Sequence, residues 1–235
     1  MRVLALDTTT RAGSLALADD GRVLLERAGS AAQSQAERFP NELLAALGEV
    51  GWSTADVDLY AVAAGPGSFT GLRIGIATVQ GLAFVHGKRV APLSALEAFA
   101  TAAGSTLDGP TRVGVWMDAH RREVFSALYD VSASADRIAL TEVEGPTSGP
   151  PADVLERWTR LGLPSVMCGD GVATYRAALP ETIQVSAPPA LAAYVARLAF
   201  DVAARGGAVS PAAVQPVYVR RPDVELARDR ASGAE

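Results

Sequence analysis

Gly65-Pro66-Gly67-Ser68-Phe69-Thr70-Gly71-Leu72-Arg73-Ile74-Gly75 is the stretch of this 235-residue chain that decides its fold. The apolar run at 57–63 before it predicts a strand, and the apolar spacing after it predicts a helix over 70–86. Glycine and proline predict a sharp loop between the two, where Ser68 or Thr70 is placed to cap the helix. A strand, a tight loop and a long helix in this order predict an α/β fold.

The predicted helix 70–86 is apolar on two sides. One stripe consists of small and apolar residues, namely Gly71, Ile74, Gly75, Thr78 and Leu82. The other consists of Leu72, Ile76, Val79 and Ala83. A helix that is apolar on two sides is buried on two sides, so one side can cover a sheet and the other needs a second domain or a partner chain. Ordinary core, a subunit interface and, from the glycine loop, an anion site are the three alternatives.

The remaining elements follow from periodicity and turn residues. Before the glycine stretch the sequence predicts strands at 2–6, 14–18 and 22–27, with Asp19-Asp20-Gly21 as a hairpin turn, and a helix at 34–50 that carries Phe39, Leu43 and Leu47. After it we expect strands at 89–91, 112–118, 123–130, 137–143 and 165–168, helices at 94–103, 152–161, 172–178 and 189–205, and a loop at 144–151. In both halves of the sequence the predicted strands are followed by helices, which suggests a distant structural duplication.

Composition excludes several functional classes. The net charge is −5, so a basic nucleic-acid-binding domain is not expected. Lys88 is the only lysine and does not stand in a P-loop, and the two histidines form no metal-binding pair. A single cysteine excludes a disulfide framework and a four-cysteine zinc site. No apolar run is long enough for a membrane span or a signal peptide, so we expect a cytoplasmic protein with no membrane contact and no metal site.

Asp7-Thr8-Thr9-Thr10 ends the first predicted strand. Actin-like ATPases and sugar kinases carry Asp-x-Gly-Thr at such a position, where the turn meets phosphate. Thr9 replaces that glycine here, which weakens the backbone's close approach to a phosphate. Three interpretations stay open: a strand end that satisfies its own turn, a vestigial phosphate loop built with Gly67 and Ser68, and a working phosphate loop.

Three other features carry chemistry-bearing residues. The run from Asp118 to Glu123, with His120 inside it, fits either a solvated hairpin turn or an acid/base cluster. Gly169-Asp170-Gly171 fits a structural turn or a contact with a nucleotide ribose. Cys168 is expected to be an inert buried thiol.

The glycine stretch and the N-terminus together resemble one family. Val3-Leu4-Ala5-Leu6-Asp7-Thr8-Thr9 followed by Ser14-Leu15-Ala16-Leu17 resembles the start of the TsaB (YeaZ) family. The Gly-Pro-Gly-Ser-Phe-Thr-Gly-Leu-Arg run is highly specific to that family. Weaker marks lie at Met117-Asp118-Ala119 with Arg121 and Arg122, at 169–171 and at 216–220, so the likeness covers residues 2–222.

The resemblance implies a two-domain actin-like ATPase (sugar-kinase, ribonuclease H-like) fold. Residues 1–104 with 189–222 would form the N-terminal subdomain, 105–188 a smaller second subdomain, and 223–235 a disordered tail. It also implies a non-catalytic scaffold without a cofactor, which binds the transferase TsaD, acts with TsaE on tRNA only through the complex, and homodimerises when alone. Helices 34–50 and 70–86 would provide the contacts.

The resemblance agrees with the absence of TsaD's metal ligands, shows one departure from the TsaB pattern and leaves two alternative functions. TsaD holds its metal with His-x-x-x-His, and the matching positions here are Ser94 and Ala98, which cannot replace imidazole ligands. The family's usual His-x-Glu helix start corresponds to Gln35-Ala36-Glu37, which puts local partner contacts in doubt. The alternative functions are a phosphotransferase of the sugar-kinase type with Asp7 as base, and a metallopeptidase, against which the two distant histidines argue.

Overall fold

The computed structural model describes residues 1–30, 32, 34–134, 138–187 and 189–220. The predicted disordered tail at 223–235 therefore lies outside the described residues. Within the described part the chain forms two five-stranded sheets and the helices that cover them. None of the described helices combines the length and the apolar character that crossing a bilayer requires.

The first sheet contains three antiparallel strands followed by two parallel ones. Its strands are β1 (Arg2–Asp7), β2 (Ser14–Asp19), β3 (Arg22–Ala28), β4 (Leu59–Gly65) and β5 (Arg89–Ser94). They lie in the order β3-β2-β1-β4-β5, and β4 pairs with both β1 and β5 in parallel. The predicted turn at Asp19-Asp20-Gly21 joins β2 to β3, and Asp20 and Gly21 both have positive φ.

The second sheet repeats the first. Its strands are β6 (Thr111–Asp118), β7 (Val124–Ala133), β8 (Ile138–Gly149), β9 (Val166–Cys168) and β10 (Gln184–Val185). The order β10-β9-β6-β7-β8, taken from the other edge, has the same connectivity as the first sheet, with the same antiparallel and parallel pairs. The suggested structural duplication is thereby confirmed at the level of topology.

Six α-helices accompany the sheets in the described part of the chain. They are α1 (Gln35–Glu49), α2 (Phe69–Val85), α3 (Ala95–Gly104), α4 (Pro151–Leu161), α5 (Asp170–Thr174) and α6 (Ala192–Ala204). Short 3₁₀ turns lie at Thr54–Asp56, Arg176–Ala178 and Pro211–Ala213. Of the two predicted caps of α2, Ser68 and Thr70, the structure shows Ser68, whose hydroxyl accepts a hydrogen bond from the Gly71 N–H at 3.2 Å.

The helices and sheets form five layers. Helices α1 and α2 cover the outer face of the first sheet, and α4 and α5 cover the outer face of the second. Helices α3 and α6 lie between the sheets, in the largest apolar core. Each of these two contacts the sheet of the other half, because α3 packs on β6 and β7 while α6 packs on β1 and β2. The predicted subdomain boundary at residue 104 falls between the two sheets, and the subdomain limits stay a prediction.

Some predicted elements were wrong in type or length. The segment 144–151 was expected to be a loop, but β8 continues to Gly149 despite Gly145 and Pro146. β8 lies at a sheet edge and its pairing with β7 shifts register along the strand, which is where a sheet tolerates proline and glycine. The predicted helices at 172–178 and 189–205 are also shorter, since α5 ends at Thr174 and α6 begins at Ala192. The two-residue strand β10 carries no periodicity that sequence could reveal.

Candidate functional site

The eight residues predicted to bind a partner lie on α1 and α2, and the structure divides them into two groups. Five are buried in the chain's own packing: Phe39, Leu43, Leu47, Gly71 and Gly75. The first three contribute to the core under the first sheet. The other three, Ile74, Thr78 and Leu82, are half-buried. A contact surface on these helices must therefore be built from the second group and its exposed neighbours.

Close packing within the chain requires glycine at positions 71 and 75 of α2. A Cβ at Gly71 would overlap the carbonyl oxygen of Thr8, and one at Gly75 would overlap the Thr8 hydroxyl. The N-terminal half of α2 therefore lies directly on the loop that follows β1. The spacing of the glycines predicted a close approach, but only the structure shows that the approaching backbone belongs to the same chain.

Three large apolar side chains on this face were missed in the sequence. Phe84 is 80% exposed and Val85 is 74% exposed at the end of α2, and Leu44 is 61% exposed on α1. The signal for Phe84 and Val85 was present, because they follow Leu82 as apolar residues outside both predicted stripes. Several large apolar side chains exposed on neighbouring helices are typical of contact surfaces, so these residues are candidates for one.

The Asp7 loop is closed by its own threonines. Oδ1 of Asp7 accepts hydrogen bonds from the Thr9 N–H at 2.8 Å and the Thr9 hydroxyl at 2.5 Å, and Oδ2 accepts from the Thr10 hydroxyl at 2.9 Å. Asp7 is 1% exposed. Burial raises the pKa of Asp7, although the hydrogen bonds from Thr9 and Thr10 oppose that shift. A carboxylate whose two oxygens are occupied in this way is poorly placed to act as a base on a substrate.

The structure brings together all five residues of the predicted phosphate loop. The Ser68 N–H donates to the Thr9 carbonyl at 2.9 Å, and a Cβ at Gly67 would stand only 2.5 Å from the Thr9 Cβ. Thr8 lies beneath α2, and its buried hydroxyl has no hydrogen-bond partner among the described residues. The N–H groups of Thr9 and Ser68, which a phosphate would need as donors, already donate hydrogen bonds to acceptors within the protein. This arrangement supports the interpretation of a strand end that satisfies its own turn.

Two further carboxylates lie near the Asp7 loop, between the sheets. The Asp118 N–H at the end of β6 donates to Oδ1 of Asp170 at 3.2 Å. Burial raises the pKa of Asp170, and the negative charges of Asp118 and Asp7 raise it further. The predicted structural turn at Gly169-Asp170-Gly171 is confirmed, because a Cβ at either glycine would overlap the backbone of β6. The inner end of the cleft is therefore acidic.

The turn between β6 and β7 has an unusual backbone. His120, Arg121 and Arg122 all have positive φ, at 58°, 52° and 65°, so three consecutive non-glycine residues lie in the left-handed region. The turn is closed by the Ala119 N–H to the Glu123 carbonyl at 3.1 Å. Left-handed backbone costs an L-residue roughly 1–2 kcal/mol. All three side chains are exposed, with 81% of the His120 side chain accessible, so the solvated-turn interpretation fits better than a preformed acid/base cluster.

A cavity of about 360 Å³ opens between this turn and the N-terminus of α2. Its walls are mostly apolar and include Leu72, Phe69, Phe125, Val217, Tyr218 and Val219. The segment that follows the last 3₁₀ turn closes one side: the Val217 N–H donates to the Ala64 carbonyl at 2.7 Å, and Tyr218 stacks on Phe69 with 5.4 Å between ring centroids. Arg220 reaches the other half of the molecule through an ion pair with Glu123 at 2.9 Å.

The remaining predicted positions have structural roles. Ser94 caps α3 by accepting a hydrogen bond from the Glu97 N–H at 3.3 Å, and Ala98 is fully buried in the core. Cys168 is buried, its thiol donates to the Phe99 carbonyl at 3.5 Å, and burial raises its pKa, so the inert thiol is confirmed. Gln35 donates through Nε2 to the Thr10 carbonyl at 2.8 Å and ties α1 to the Asp7 loop.

Two sheets of one topology, stacked around exchanged helices with a cleft between their first strands, define the class of actin-like ATPase folds. One solved structure with this fold is the activator of 2-hydroxyisocaproyl-CoA dehydratase from Clostridium difficile with bound ADPNP. It superposes with a TM-score of 0.50 over 88% of this chain and 97% of that one, at 12% identity. At that identity the likeness shows the fold alone.

Closer relatives narrow the class to a family. The family model of TsaD, tRNA N6-adenosine threonylcarbamoyltransferase, matches residues 29–210. YeaZ from Pseudomonas aeruginosa superposes with a TM-score of 0.76 at 31% identity, over 92% of this chain and 99% of that one. An uncharacterised protein of Mycobacterium tuberculosis is 35% identical over 95% of this chain and 93% of its own length. The tRNA threonylcarbamoyladenosine biosynthesis protein TsaB of Escherichia coli is 38% identical over 55% of each chain. The chain belongs to the TsaD-related family, in its TsaB (YeaZ) branch.

Proposed function

We propose that this protein acts in the biosynthesis of threonylcarbamoyladenosine in tRNA as a subunit that binds TsaD through the outer face of α1 and α2. The exposed apolar residues of that face, Leu44, Phe84 and Val85, are the observation that carries the proposal. The names of its relatives supply the pathway. The protein contributes a surface in this proposal and performs no chemical step of its own.

The choice of TsaD as the partner rests on shared architecture. Because one family model describes TsaD and also matches 29–210 of this chain, TsaD is expected to carry counterparts of α1 and α2, which lie within that range. Like faces on two related chains can pair about a pseudo-twofold axis, as identical chains do in a symmetric dimer. The same argument gives a homodimer through the same face when TsaD is absent, so the two assemblies would compete.

The face has the composition of an interface centre. Phe84 and Val85 are apolar and exposed, and the half-buried Ile74, Thr78 and Leu82 continue the apolar surface along the helix. Fully burying one large apolar side chain contributes roughly 1.5–3 kcal/mol. Few such residues are enough to form the centre of a stable contact when a polar rim surrounds them.

The Asp7 loop supports the absence of a chemical step. A sugar-kinase type of phosphotransferase would need Asp7 accessible and the adjoining N–H groups free for phosphate. Asp7 instead accepts hydrogen bonds from Thr9 and Thr10. No geometric feature of the described residues favours the phosphotransferase or the metallopeptidase alternative. Action together with TsaE, contact with tRNA through the complex and a cytoplasmic location belong to this proposal as well.

Replacing Phe84 by glutamate tests the docking face. The side chain is exposed in the monomer, so the fold should be kept, whereas burying an unpaired carboxylate at an apolar contact should weaken TsaD binding by at least about tenfold. Size-exclusion chromatography with TsaD and titration calorimetry measure the loss. Leu163→Glu is the matched control, since Leu163 is 41% exposed on the other half of the molecule.

Two results would contradict the docking face. One is unchanged TsaD affinity for Phe84→Glu, and the other is an equal loss for Leu163→Glu. Gly75→Arg is unsuitable for this purpose because Gly75 lies against Thr8, so that the variant would disturb the fold itself.

A further inference from the structure

The chain leaves the described part of the structure on the wall of the cavity of about 360 Å³. Residues 217–220 form one side of that cavity, and the ion pair with Glu123 at 2.9 Å holds Arg220 at its rim. The Val217 N–H fixes the start of the same side through its hydrogen bond to the Ala64 carbonyl at 2.7 Å. The residues that follow Arg220 in the sequence therefore begin at the mouth of the cavity.

The sequence directly after Arg220 alternates between acidic and apolar residues. It reads Arg221-Pro222-Asp223-Val224-Glu225-Leu226. Proline followed by aspartate is typical of a β-turn, which reverses the direction of a chain. Because successive side chains of an extended segment point to opposite sides, Val224 and Leu226 would share one side and the two acids the other. Such alternation is typical of a segment that buries one of its sides.

We propose that the chain folds back after Arg220 and places Val224 and Leu226 in this cavity. The occupant is the segment 221–226 of the same chain, and the cavity is its docking site. The defining juxtaposition is an apolar cavity beside the point at which an alternating acidic and apolar segment begins. The expectation of a disordered tail then applies to residues 227–235. Docking of this segment does not depend on the contact with TsaD.

The cavity offers apolar surface from both halves of the molecule. Phe69 and Leu72 contribute from α2, Phe125 from β7, and Val219 from the side that leads to the exit of the chain. Phe69 is 40% exposed, and covering its ring removes apolar surface from water, which is favourable. A side chain that enters the cavity therefore contacts both halves at once and stabilises the closed mouth of the cleft.

The polar groups at the cavity mouth favour an apolar side chain over a small polar ligand. Arg220 pairs with Glu123, and a carboxylate oxygen of Asp118 accepts a hydrogen bond from the His120 N–H at 2.8 Å. Small-molecule sites need a few polar groups that orient the ligand, and these groups already have partners within the chain. The volume of about 360 Å³ is at the small end of ligand pockets, which suits a few aliphatic side chains.

The charge of the cleft determines which side of the segment faces inward. The inner end is acidic, because Asp118 and Asp170 lie there, and burial together with the neighbouring negative charges raises the pKa of Asp170. The carboxylates of Asp223 and Glu225 are disfavoured in such surroundings and belong on the side that faces water. The apolar side of the segment is then the one directed into the cavity.

The segment is close enough to the cavity to enter it and to stay there. The four residues from Arg220 to Val224 span at most about 14 Å when extended, and a turn at Pro222-Asp223 uses part of that length to reverse direction. Over so short a connection the effective concentration of the segment at the cavity is on the order of millimolar. An apolar contact of modest strength is therefore sufficient to keep the cavity occupied.

The experiment locates the segment in the full chain, without TsaD, by double electron–electron resonance. Nitroxide labels are attached at Ala227→Cys, directly after the segment, and at Leu163→Cys on the second half, where the leucine is 41% exposed. The native Cys168 is buried and does not compete for the label. A docked segment gives one narrow distance distribution, whereas a free segment of seven residues after Arg220 spreads the label over roughly 15 Å.

The double variant Val224→Ser/Leu226→Ser is compared with the matched control Ala231→Ser/Ala234→Ser further along the chain. We expect the first to broaden the distance distribution to that of a free segment, because it removes the side chains that enter the cavity. The control should keep the narrow distribution. A broad distribution in the labelled chain with Val224 and Leu226 intact overturns the proposal, and so does a narrow one that survives the double variant.

A substitution in the cavity tests where the segment is docked. Thr70→Trp fills the cavity from its rim, where Thr70 is exposed, and leaves the sequence of the segment intact. It should broaden the distribution, whereas Ala77→Trp, at an exposed position of α2 outside the cavity, should not. A narrow distribution in Thr70→Trp would place the segment elsewhere and overturn the proposal. Loss of the narrow distribution on dilution with excess unlabelled chain would place the segment in a second copy, which overturns it as well.

Discussion

The loop after β1 and the turn after β6 occupy the same place in the two repeated halves, and their structures differ in almost every respect. Each follows the first strand of its sheet, which ends in an aspartate, Asp7 in one and Asp118 in the other. Asp7 is 1% exposed, with both carboxylate oxygens accepting hydrogen bonds from the threonines that follow. Asp118 is half-buried, and the residues after it turn outward in left-handed backbone.

The same topology therefore gives a covered loop after β1 and an exposed turn after β6. In the first half the long helix α2 lies on the loop through two glycines, Gly71 and Gly75, which both approach Thr8. In the second half the equivalent helix α5 is only five residues long, and it leaves the turn uncovered. The loop after β1 is covered and the turn after β6 is exposed because α2 is long and α5 is short.

The largest effect is expected from Gly71→Ala, which removes the contact that closes the first loop. The added methyl group would overlap the Thr8 carbonyl oxygen, so α2 must shift, at a cost of roughly 3 kcal/mol in the free energy of unfolding. Urea denaturation measures the loss. Gly81→Ala is the control, because nothing lies within 4 Å of its added Cβ and alanine favours the helix, so that it should gain about 0.5–1 kcal/mol. A Gly71→Ala protein as stable as the unmodified one would show that the loop is not held by α2.

A smaller effect is expected from Asp7→Ala. The Thr9 N–H and two threonine hydroxyls lose their acceptor in a buried place, which costs about 2 kcal/mol of unfolding free energy. Asp118→Ala should cost less than about 1 kcal/mol, because its surroundings are accessible to water. Equal losses for the two variants would erase the distinction between a closed loop and an open turn.

Asp7→Asn adds a check on the charge. Burial raises the pKa of Asp7, so ionisation of this group destabilises the folded protein above the unfolded pKa. The stability of the asparagine variant relative to the unmodified protein should therefore increase as pH rises through the native pKa, and level off above it. Chemical denaturation at a series of pH values measures this difference, and a difference that falls with rising pH would contradict the assignment.

The smallest effect, and the only gain among the changes to these two loops, is expected from Arg122→Gly. Glycine adopts φ near +65° without steric cost, so the unfolding free energy should rise by about 1 kcal/mol. Thermal unfolding followed by circular dichroism is the measurement. Arg122→Lys, which keeps both the strain and the charge, should unfold like the unmodified protein. If the glycine variant is less stable, contacts of the Arg122 side chain within the fold must contribute more to the unfolding free energy than the backbone strain costs.

Sequence patterns predicted most of the fold for identifiable reasons. The alternation at 14–18, the turn at Asp19-Asp20-Gly21 and the long apolar helix after Ser68 are local features whose periods match strands and helices. β8 was underestimated because proline and glycine are tolerated at an edge, and whether a strand lies at an edge depends on the assembled sheet. The five residues predicted to form a phosphate loop lie together because they follow two adjacent parallel strands, β1 and β4, and their role stays a prediction.

The predicted contact surface was less accurate. Gly71 and Gly75 indicated close packing of helix α2, yet the amino-acid pattern is the same whether the approaching backbone belongs to a partner or to the same chain. Phe84 and Val85 stand outside both apolar stripes in the sequence, but only the folded surface shows that they are exposed. The positive φ angles of residues 120–122 carried no signal in the sequence, since arginine and histidine are unusual in that conformation.

The sequence by itself determined the α/β class, the repeated order of strands and helices, the family and the lack of a phosphate-binding lysine motif, because residue type and periodicity encode local structure. Only the tertiary structure decided which aspartate is closed and which loop stays open, because these depend on what packs above each strand end. The exchange of α3 and α6 between the halves was likewise decided by packing, since each helix buries its apolar surface on the sheet of the other half.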